Sequence, residues 1–537
     1  MAAFNHGPPA RRAHAERANR PYTAGMNTAT TAASAATTAI NAAITAAAAA
    51  HRAAVNAPIP EGEQAAAADE LAELAPALQR LRSAWRAKKP DYAQRMHDLA
   101  RLKAAFQARL GEMQAAVAAD FGHRSEHETL LSDGMTVIAE IDHLRRHLRG
   151  WMRPKRAGVG WKLWPARAQV RREAVGVVGV MAPWNYPVNL SLIPLATAIA
   201  AGNHVFLKPS EHTPRTSAWL RELLADVFPA DRVAVALGGA ELAGAFAGLP
   251  FDHLVFTGST AVGRKVMAAA APNLTPLTLE LGGKSPAIVA ADFPIPLAAA
   301  RLATGKWFNG GQTCIAPDYV LIDAARRDAL VEALRAEVRA RYGADMGGAE
   351  DYTRIVNEGQ YRRLRAYLDD AQARGLQIVT LAEVDASRAD AERLIPPTLI
   401  LEPGDDAKVM QDEIFGPILP ILGYRSLDDA LTYVEERDRP LAMYPFSHAR
   451  GTVEVMLNRV LAGGVTVNDT LLHFAANNLP FGGVGPSGMG QYHGRAGFDA
   501  MTKAMPVLWQ ARFTATDLIK PPYRGKVDRL IRFLSGG

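Results

Sequence analysis

One cysteine, Cys314, serves a chain of 537 residues. That scarcity excludes an internal disulfide and any cysteine-built metal site, and it suits a reducing, cytoplasmic setting. Long apolar runs are absent too. None approaches the roughly 20 residues that span a bilayer, so no transmembrane segment is expected. Nor is the charge one-sided: 60 Lys and Arg stand against 54 Asp and Glu. The basic residues are spread along the chain without a helix-turn-helix or RNA-binding pattern, so no nucleic-acid partner is expected. What is there, 49% apolar and 21% charged residues, is the make-up of a globular protein. The length exceeds what one hydrophobic core organises, so two or more domains are expected.

The first 65 residues stand apart. Met1–Arg20 is rich in Arg, His and Pro, and Met26–Ala65 is an Ala/Thr/Asn tract that passes through Ala57-Pro58-Ile59-Pro60-Glu61-Gly62. A stretch with so few large apolar groups does not offset its ordering entropy, and residues 1–65 are expected to be a disordered extension. No leucine-rich segment follows the arginines, which argues against a secretory signal. An amphipathic organellar presequence and a translation start at Met26 are the other readings. From Leu71 to Trp151 the pattern is helical, with Leu99, Leu102, Phe106 and Leu110 at three- and four-residue spacing. Short β-branched runs then alternate with helical stretches: Val175–Met181, Val205–Leu207, Val233–Leu237, His253–Phe256 and Leu277–Leu281. Such alternation implies a parallel sheet covered on both faces. A second series, with Tyr319–Ile322, Gln377–Val379 and Ile418–Leu422, runs to Asn468. The expected fold class is α/β, with two α/β domains at 66–283 and 284–465 and a closing segment and tail at 466–537. Cys314 falls near the junction, where clefts form.

Six motifs carry chemistry. Asn309-Gly310-Gly311-Gln312-Thr313-Cys314 puts small residues ahead of the cysteine. Such a backbone turns sharply and aims its amides at one point, which suits a nucleophile whose own N–H steadies an oxyanion; a buried structural cysteine is the competing reading. Pro183-Trp184-Asn185-Tyr186-Pro187 follows a strand, and its prolines hold the Asn185 carboxamide as a second donor, unless Asn185 merely completes a turn. In Leu279-Glu280-Leu281-Gly282-Gly283-Lys284 one carboxylate lies among apolar residues. Desolvated, it takes a proton near neutrality; paired with Lys284, it is a strand-edge ion pair. Phe256-Thr257-Gly258-Ser259-Thr260 joins a strand to a helix, where the Gly258 turn, the Ser259 hydroxyl and the free amides suit a pyrophosphate, although this is not the G-x-G-x-x-G fingerprint. Lys208-Pro209-Ser210-Glu211 offers a cation and a carboxylate suited to ribose hydroxyls. Glu413-Ile414-Phe415-Gly416-Pro417 offers an acid for a second ribose and a ring for a flat nicotinamide. Surface charge and loop packing are the plainer readings of these last two.

Together and in this order the motifs resemble the aldehyde dehydrogenase superfamily, from about Leu81 to about Leu508. Cys314–Val320, Val467-Asn468-Asp469 and Gly482–Gly490 with Tyr492-His493-Gly494 are similar to the class 3 branch, most of all to the bacterial coniferyl aldehyde dehydrogenases. The resemblance implies a Rossmann-like NAD(P)-binding domain at 66–283, with a small β arm near 155–172 that pairs subunits. It implies a catalytic domain at 284–465, with closure and oligomerisation in 466–537. By that resemblance Cys314 is the nucleophile, Asn185 and the Cys314 N–H form the oxyanion hole, and Glu280 activates the deacylating water. Lys208 and Glu211 hold the adenosine ribose, Gly258 and Ser259 the pyrophosphate, and Glu413 the nicotinamide ribose, with Phe415 and Trp184 beside it. The implied reaction oxidises an aldehyde to its acid through a thiohemiacetal and a thioester, without a metal. NAD is the implied cofactor, because a Glu211 carboxylate repels a 2′-phosphate, and NADP is accepted by many class 3 relatives. A homodimer is implied, and an aromatic or apolar aldehyde, coniferaldehyde foremost and medium or long aliphatic aldehydes next.

Three other readings are opposed by particular residues. A dehydrogenase that passes its thioester to coenzyme A has no use for a water-activating Glu280. A non-catalytic protein of the same fold has no reason to hold Cys314, Asn185 and Glu280 together. A cysteine hydrolase needs a histidine base, and none of the fourteen histidines lies in the six motifs. Elsewhere, Trp307-Phe308 adds aromatic surface near the site or packs a helix, and His473, His493 and Arg495 shape a loop. Leu530, Ile531, Phe533 and Leu534 with Arg529 and Arg532 form an amphipathic tail that docks on the protein or a subunit; peripheral membrane contact is the alternative.

Overall fold

The computed structural model describes residues 61–512, 514, 520–523 and 525–536. The expectation for residues 1–65 lies outside the described residues as far as position 60; its last five residues belong to a helix, Glu61–Ala87. The next helix, Tyr92–Ala108, starts at Asp91, whose carboxylate accepts the Gln94 N–H at 2.8 Å. Its expected stripe buries Leu99, Leu102 and Phe106 completely. Leu110 does not continue that stripe. The chain breaks at Arg109, whose guanidinium is anchored by Glu112 and Asp226, and Leu110 opens a separate helix, Leu110–Phe121.

In chain order the strands are β1 (Lys155–Ala157), β2 (Arg167–Ala174), β3 (Val177–Met181), β4 (His204–Lys208), β5 (Val233–Val235), β6 (His253–Thr257), β7 (Leu277–Glu280) and β8 (Pro286–Val289). They continue as β9 (Tyr319–Asp323), β10 (Gln377–Thr380), β11 (Thr398–Leu401), β12 (Ile418–Tyr424), β13 (Ala442–Phe446), β14 (Gly464–Val465), β15 (Gly488–Met489) and β16 (Thr502–Trp509). The first large sheet has the order β15-β7-β6-β3-β4-β5, and the second β10-β11-β12-β9-β8-β13-β14. Each is parallel except for one antiparallel edge strand, β15 and β10. β3, β4 and β6 are buried along their whole length, as strands covered on both faces must be. The helix Asn189–Ala201 is apolar almost all round and buried at every position. The chain crosses from the first sheet to the second within Leu281–Ser285, just past Glu280. Among the described residues of 466–537, β15 joins the first sheet, and β16 pairs with β2 in the three-stranded arm β1-β2-β16.

Candidate active site

Strand order dictates where a ligand can sit. The chain lays down β3, β4 and β5 in one direction and then returns to place β6 and β7 on the other side of β3. Connections leaving β3 and β6 therefore diverge and open a crevice at the carboxyl ends of the strands. The cleft there, about 840 Å³, takes in Trp184, Asn185, Gly258, Ser259, Glu280, Cys314, Glu413 and Phe415. Lys208 and Glu211 do not line it. They follow the neighbouring strand β4, where Lys208 Nζ donates to Glu211 Oε2 at 2.5 Å. Burial works to raise the Glu211 carboxyl, but the bond and charge of Lys208 prevail and hold it below its usual range.

The cysteine loop is bent by three successive left-handed residues, Asn309, Gly310 and Gly311, at φ 55, 60 and 76°. Gly311 admits no side chain, because a Cβ there would lie 2.3 Å from the Gly416 carbonyl oxygen. Asn309 is held on both sides. Its N–H donates to Glu128 Oε2 at 3.0 Å, and its carboxamide donates to the carbonyls of Asn185 and Gln312. The Gln312 side chain bonds Asn309 O, Arg354 O and the Val356 N–H, each at 3.0 Å. The Asn185 segment is tied to the same loop: Asn185 Nδ2 donates to Gln312 O at 3.1 Å, and Tyr186 Oη meets Thr313 Oγ1 at 2.6 Å. A carboxamide donates twice, which leaves Asn185 one further proton to donate at the cleft that it lines. Behind this, Arg124 donates to Asn185 O and pairs with Asp133 at 3.1 Å, both wholly buried. Asp133 in turn accepts the N–H groups of Val188 and Asn189 at the start of the helix Asn189–Ala201. No motif signalled Arg124, Glu128 or Asp133, since charges in a helical stretch read as surface until the fold buries them.

Opposite the loop lie groups without partners. Glu280 ends β7 buried, and neither carboxyl oxygen has a hydrogen-bond partner among the described residues. The pairing with Lys284 weighed in the sequence does not occur: Lys284 Nζ goes to Asp318 and to the carbonyls of Val409 and Asp412. Burial alone holds the Glu280 carboxyl well above the carboxylate range. Glu413 packs on Gly282, where a Cβ would fall 1.9 Å from Oε2, and its Oε1 has no partner. Burial, then the nearby Asp318, pushes it up to about 8. Cys314 keeps part of its surface open to the cleft. Burial first, then Glu413 and Glu280, pushes its thiol up. Phe415, at φ 50°, sets its ring edge-on to Trp184 with centroids 5.2 Å apart.

Two buried polar groups near the site were not foreseen as site residues. Lys306 has no partner among the described residues, and burial lowers its amine to about 8. Tyr492, its hydroxyl also unpartnered, lies within electrostatic reach of Glu280 and Cys314; in the sequence it was only part of a family motif. Of the two readings of Trp307, packing holds. It is fully buried and donates its indole N–H to Pro417 O at 3.2 Å, so it packs the core rather than lining the site. His473 and His493 are buried, Arg495 pairs with Asp499, and none of the three lines the cleft. Among the described residues no group of three or more His, Cys, Asp or Glu could hold a metal ion.

The arrangement fits a dinucleotide on its own terms. Ser259 caps the helix Thr260–Ala270, accepting the Val262 N–H, and that helix start opens onto the cleft. The unpartnered Glu413 oxygen and the Trp184–Phe415 rings stand further along it.

Comparison with known proteins agrees. The model described as "Aldehyde dehydrogenase family" matches residues 57–507. A probable coniferyl aldehyde dehydrogenase of Pseudomonas aeruginosa is 47% identical over 464 residues, which is 86% of this chain and 96% of the relative. The substrate-bound state of AldH from Staphylococcus aureus is similar in structure, with a TM-score of 0.82 and 37% identity over 86% of this chain and 99% of that one. The NAD+ complex of aldehyde dehydrogenase from Bacillus cereus has a TM-score of 0.73 and 25% identity, over 82% of this chain and 89% of that one.

Proposed function

The chain belongs to the aldehyde dehydrogenase family, and on that premise we propose that it oxidises an aromatic or other apolar aldehyde, coniferaldehyde foremost, to the carboxylic acid. The observation that carries this reading is the meeting of Cys314, Asn185 and a desolvated, unpartnered Glu280 in one cleft. The coniferaldehyde choice is supported by the name of the Pseudomonas relative at 47% identity.

Cys314 adds to the aldehyde carbon as its thiolate, and the oxyanion is held between the Asn185 carboxamide and the Cys314 N–H. A nicotinamide dinucleotide bound in the cleft would supply the hydride acceptor that oxidation of the thiohemiacetal to the thioester needs. Glu280 then takes a proton from the water that attacks the thioester, and the acid leaves Cys314 as the product. Ser259 and the helix start receive the pyrophosphate, Lys208 and Glu211 the adenosine ribose, and Glu413, Phe415 and Trp184 the nicotinamide end. NAD is preferred because the Glu211 carboxylate repels a 2′-phosphate. On this reading residues 66–283 bind the dinucleotide, residues 284–465 carry catalysis, and the arm with residues 466–537 pairs two subunits.

The test is NADH or NADPH formation by the purified protein with coniferaldehyde, benzaldehyde, hexanal, decanal and succinic semialdehyde. Coniferaldehyde is expected to be preferred, and Cys314→Ala to lower its oxidation by roughly 10³-fold or more. Activity confined to aliphatic aldehydes would withdraw the coniferaldehyde assignment and keep the chemistry. Turnover that appears only with added coenzyme A would replace hydrolysis by thiolysis.

A further inference from the structure

Lysine is rarely buried whole without a partner, and Lys306 is. Its side chain is completely buried, its amine has no hydrogen-bond partner among the described residues, and no step of the chemistry uses it. It lies where three pieces of chain meet. Lys306 is the penultimate residue of the helix Ile295–Trp307. Beside it Trp307 donates to the Pro417 carbonyl, and Gly311 of the cysteine loop is pressed so close that a Cβ there would strike the carbonyls of both Lys306 and Gly416. The segment Glu413–Pro417 therefore runs past the end of this helix. The charges that act on the Lys306 amine are those of Asp318, Lys284 and Glu413.

Counting those charges leaves the amine one partner. Lys284 is taken up by Asp318 and by the carbonyls of Val409 and Asp412. Asp318 is tied in turn to the Glu413 segment, where its other oxygen accepts the Ile414 N–H at 3.0 Å. Arg363, half-buried nearby, gives its N–H groups to Gln360, Tyr367 and the carbonyls of Glu413 and Ile414. Left over among the described residues are one unbonded amine, Lys306, and one carboxyl with a free oxygen, Glu413. Two ammonium groups against two carboxyls balance only when Glu413 is ionised. Burial and Asp318 press a proton onto Glu413, and a buried ammonium works against them. The outcome matters to a sugar. A carboxylate accepts from both hydroxyls of a ribose, whereas a protonated carboxyl turns one oxygen into a donor and loses the charge that strengthens both bonds.

We propose that Lys306 is a positioning residue of the dinucleotide site, whose buried ammonium is the counter-charge against which Glu413 ionises to take both hydroxyls of the nicotinamide ribose. This rests on the assignment of Glu413 to that ribose. Lys306 acts through the carboxylate and not by a contact of its own with the ligand.

NADH binding to the purified protein, followed by nicotinamide fluorescence from pH 6 to 9, tests it without turnover. Affinity is expected to be lost as pH falls and Glu413 takes up its proton. Lys306→Met keeps the length of the side chain and removes the charge. It should raise the midpoint of that loss by about one pH unit or more, which at pH 7 reads as a Kd about tenfold weaker. Lys306→Gln should do the same. AMP, which lacks the nicotinamide ribose, should bind both variants as it binds the wild type. Adding Lys306→Met to Glu413→Gln should weaken NADH binding no further, since the amine acts through the carboxyl. An unmoved midpoint in a variant that still binds AMP overturns the proposal. So does AMP affinity that falls in step with NADH affinity, which would make Lys306 a packing residue. A Glu413→Gln protein that binds NADH as the wild type does at every pH would remove the ribose assignment itself, and the proposal with it.

Discussion

The two walls of the cleft are built on opposite principles. On the loop wall, Asn185, Asn309 and Gln312 are bonded to one another and to backbone, with Arg124, Glu128 and Asp133 bracing them from behind. On the facing wall, Glu280 has no hydrogen-bond partner at either oxygen and Glu413 lacks one at Oε1. A buried polar group without a partner lowers stability, by roughly 1–3 kcal/mol, so a fold that leaves two carboxyls in this state gives up stability there. The difference teaches a division of labour. Groups that hold geometry are saturated in advance; groups that exchange protons or receive a ligand are left open and desolvated.

The sharpest test of that division replaces an open group. Glu280→Gln removes the proposed base but keeps the shape, and is expected to lower steady-state turnover by about 10²–10⁴-fold. Stopped-flow measurement should still show a first burst of NADH, because thioester formation does not use Glu280. Loss of the burst would place Glu280 earlier in the sequence of steps. A saturated, structural group should fail differently. Arg124→Met strands the buried Asp133 and is expected to lower unfolding free energy by about 3–5 kcal/mol in a denaturant titration. An equal loss for Glu280→Gln would erase the distinction between the walls.

Asn185 belongs to both walls' business, since it braces the loop and, on the proposed mechanism, donates to the oxyanion. Asn185→Ala is expected to lower kcat by about 10²–10³-fold, and to diminish the burst along with it. The mildest perturbation is pH. On the proposed mechanism Cys314 acts as its thiolate and Glu280 as a base, and burial raises both, with Glu413 and Glu280 when ionised raising Cys314 further; burial also raises Glu413, up to about 8. Activity is therefore fully present above these raised values and lost as pH falls below them. A kcat profile should climb through neutrality, by about tenfold per pH unit for each required group still protonated. A profile flat from pH 6 to 8 would show that these groups are already ionised.

Much of this was legible in one dimension. Alternating β-branched runs announced β3, β4, β6 and β9 to within a few residues, because parallel strands buried on both faces must be apolar throughout. The glycines of the cysteine loop announced a turn that Gly311 confirms, at a position where a Cβ would strike the Gly416 carbonyl. Eight of the ten residues singled out do share one cleft. Elsewhere the fold chose between readings that the sequence left open, or overturned one, for one common reason. Trp307 proved to be core, Lys284 went to Asp318 and left Glu280 unpaired, and Leu110 fell out of its expected stripe where Arg109 pairs with Asp226 on another helix. Each outcome depends on what packs against the residue from a distant part of the chain.

By itself, then, the sequence determined the alternation of elements, the local turns and the chemical character of the candidate groups, since strand burial, glycine backbone freedom and side-chain chemistry are local properties. Only the tertiary structure decided which of those groups is bonded and which is left open. Partners such as Arg124 for Asn185, and the absence of one for Glu280, exist once three segments meet at the carboxyl ends of the strands. Burial and hydrogen bonding there set the proton affinities that the chemistry needs.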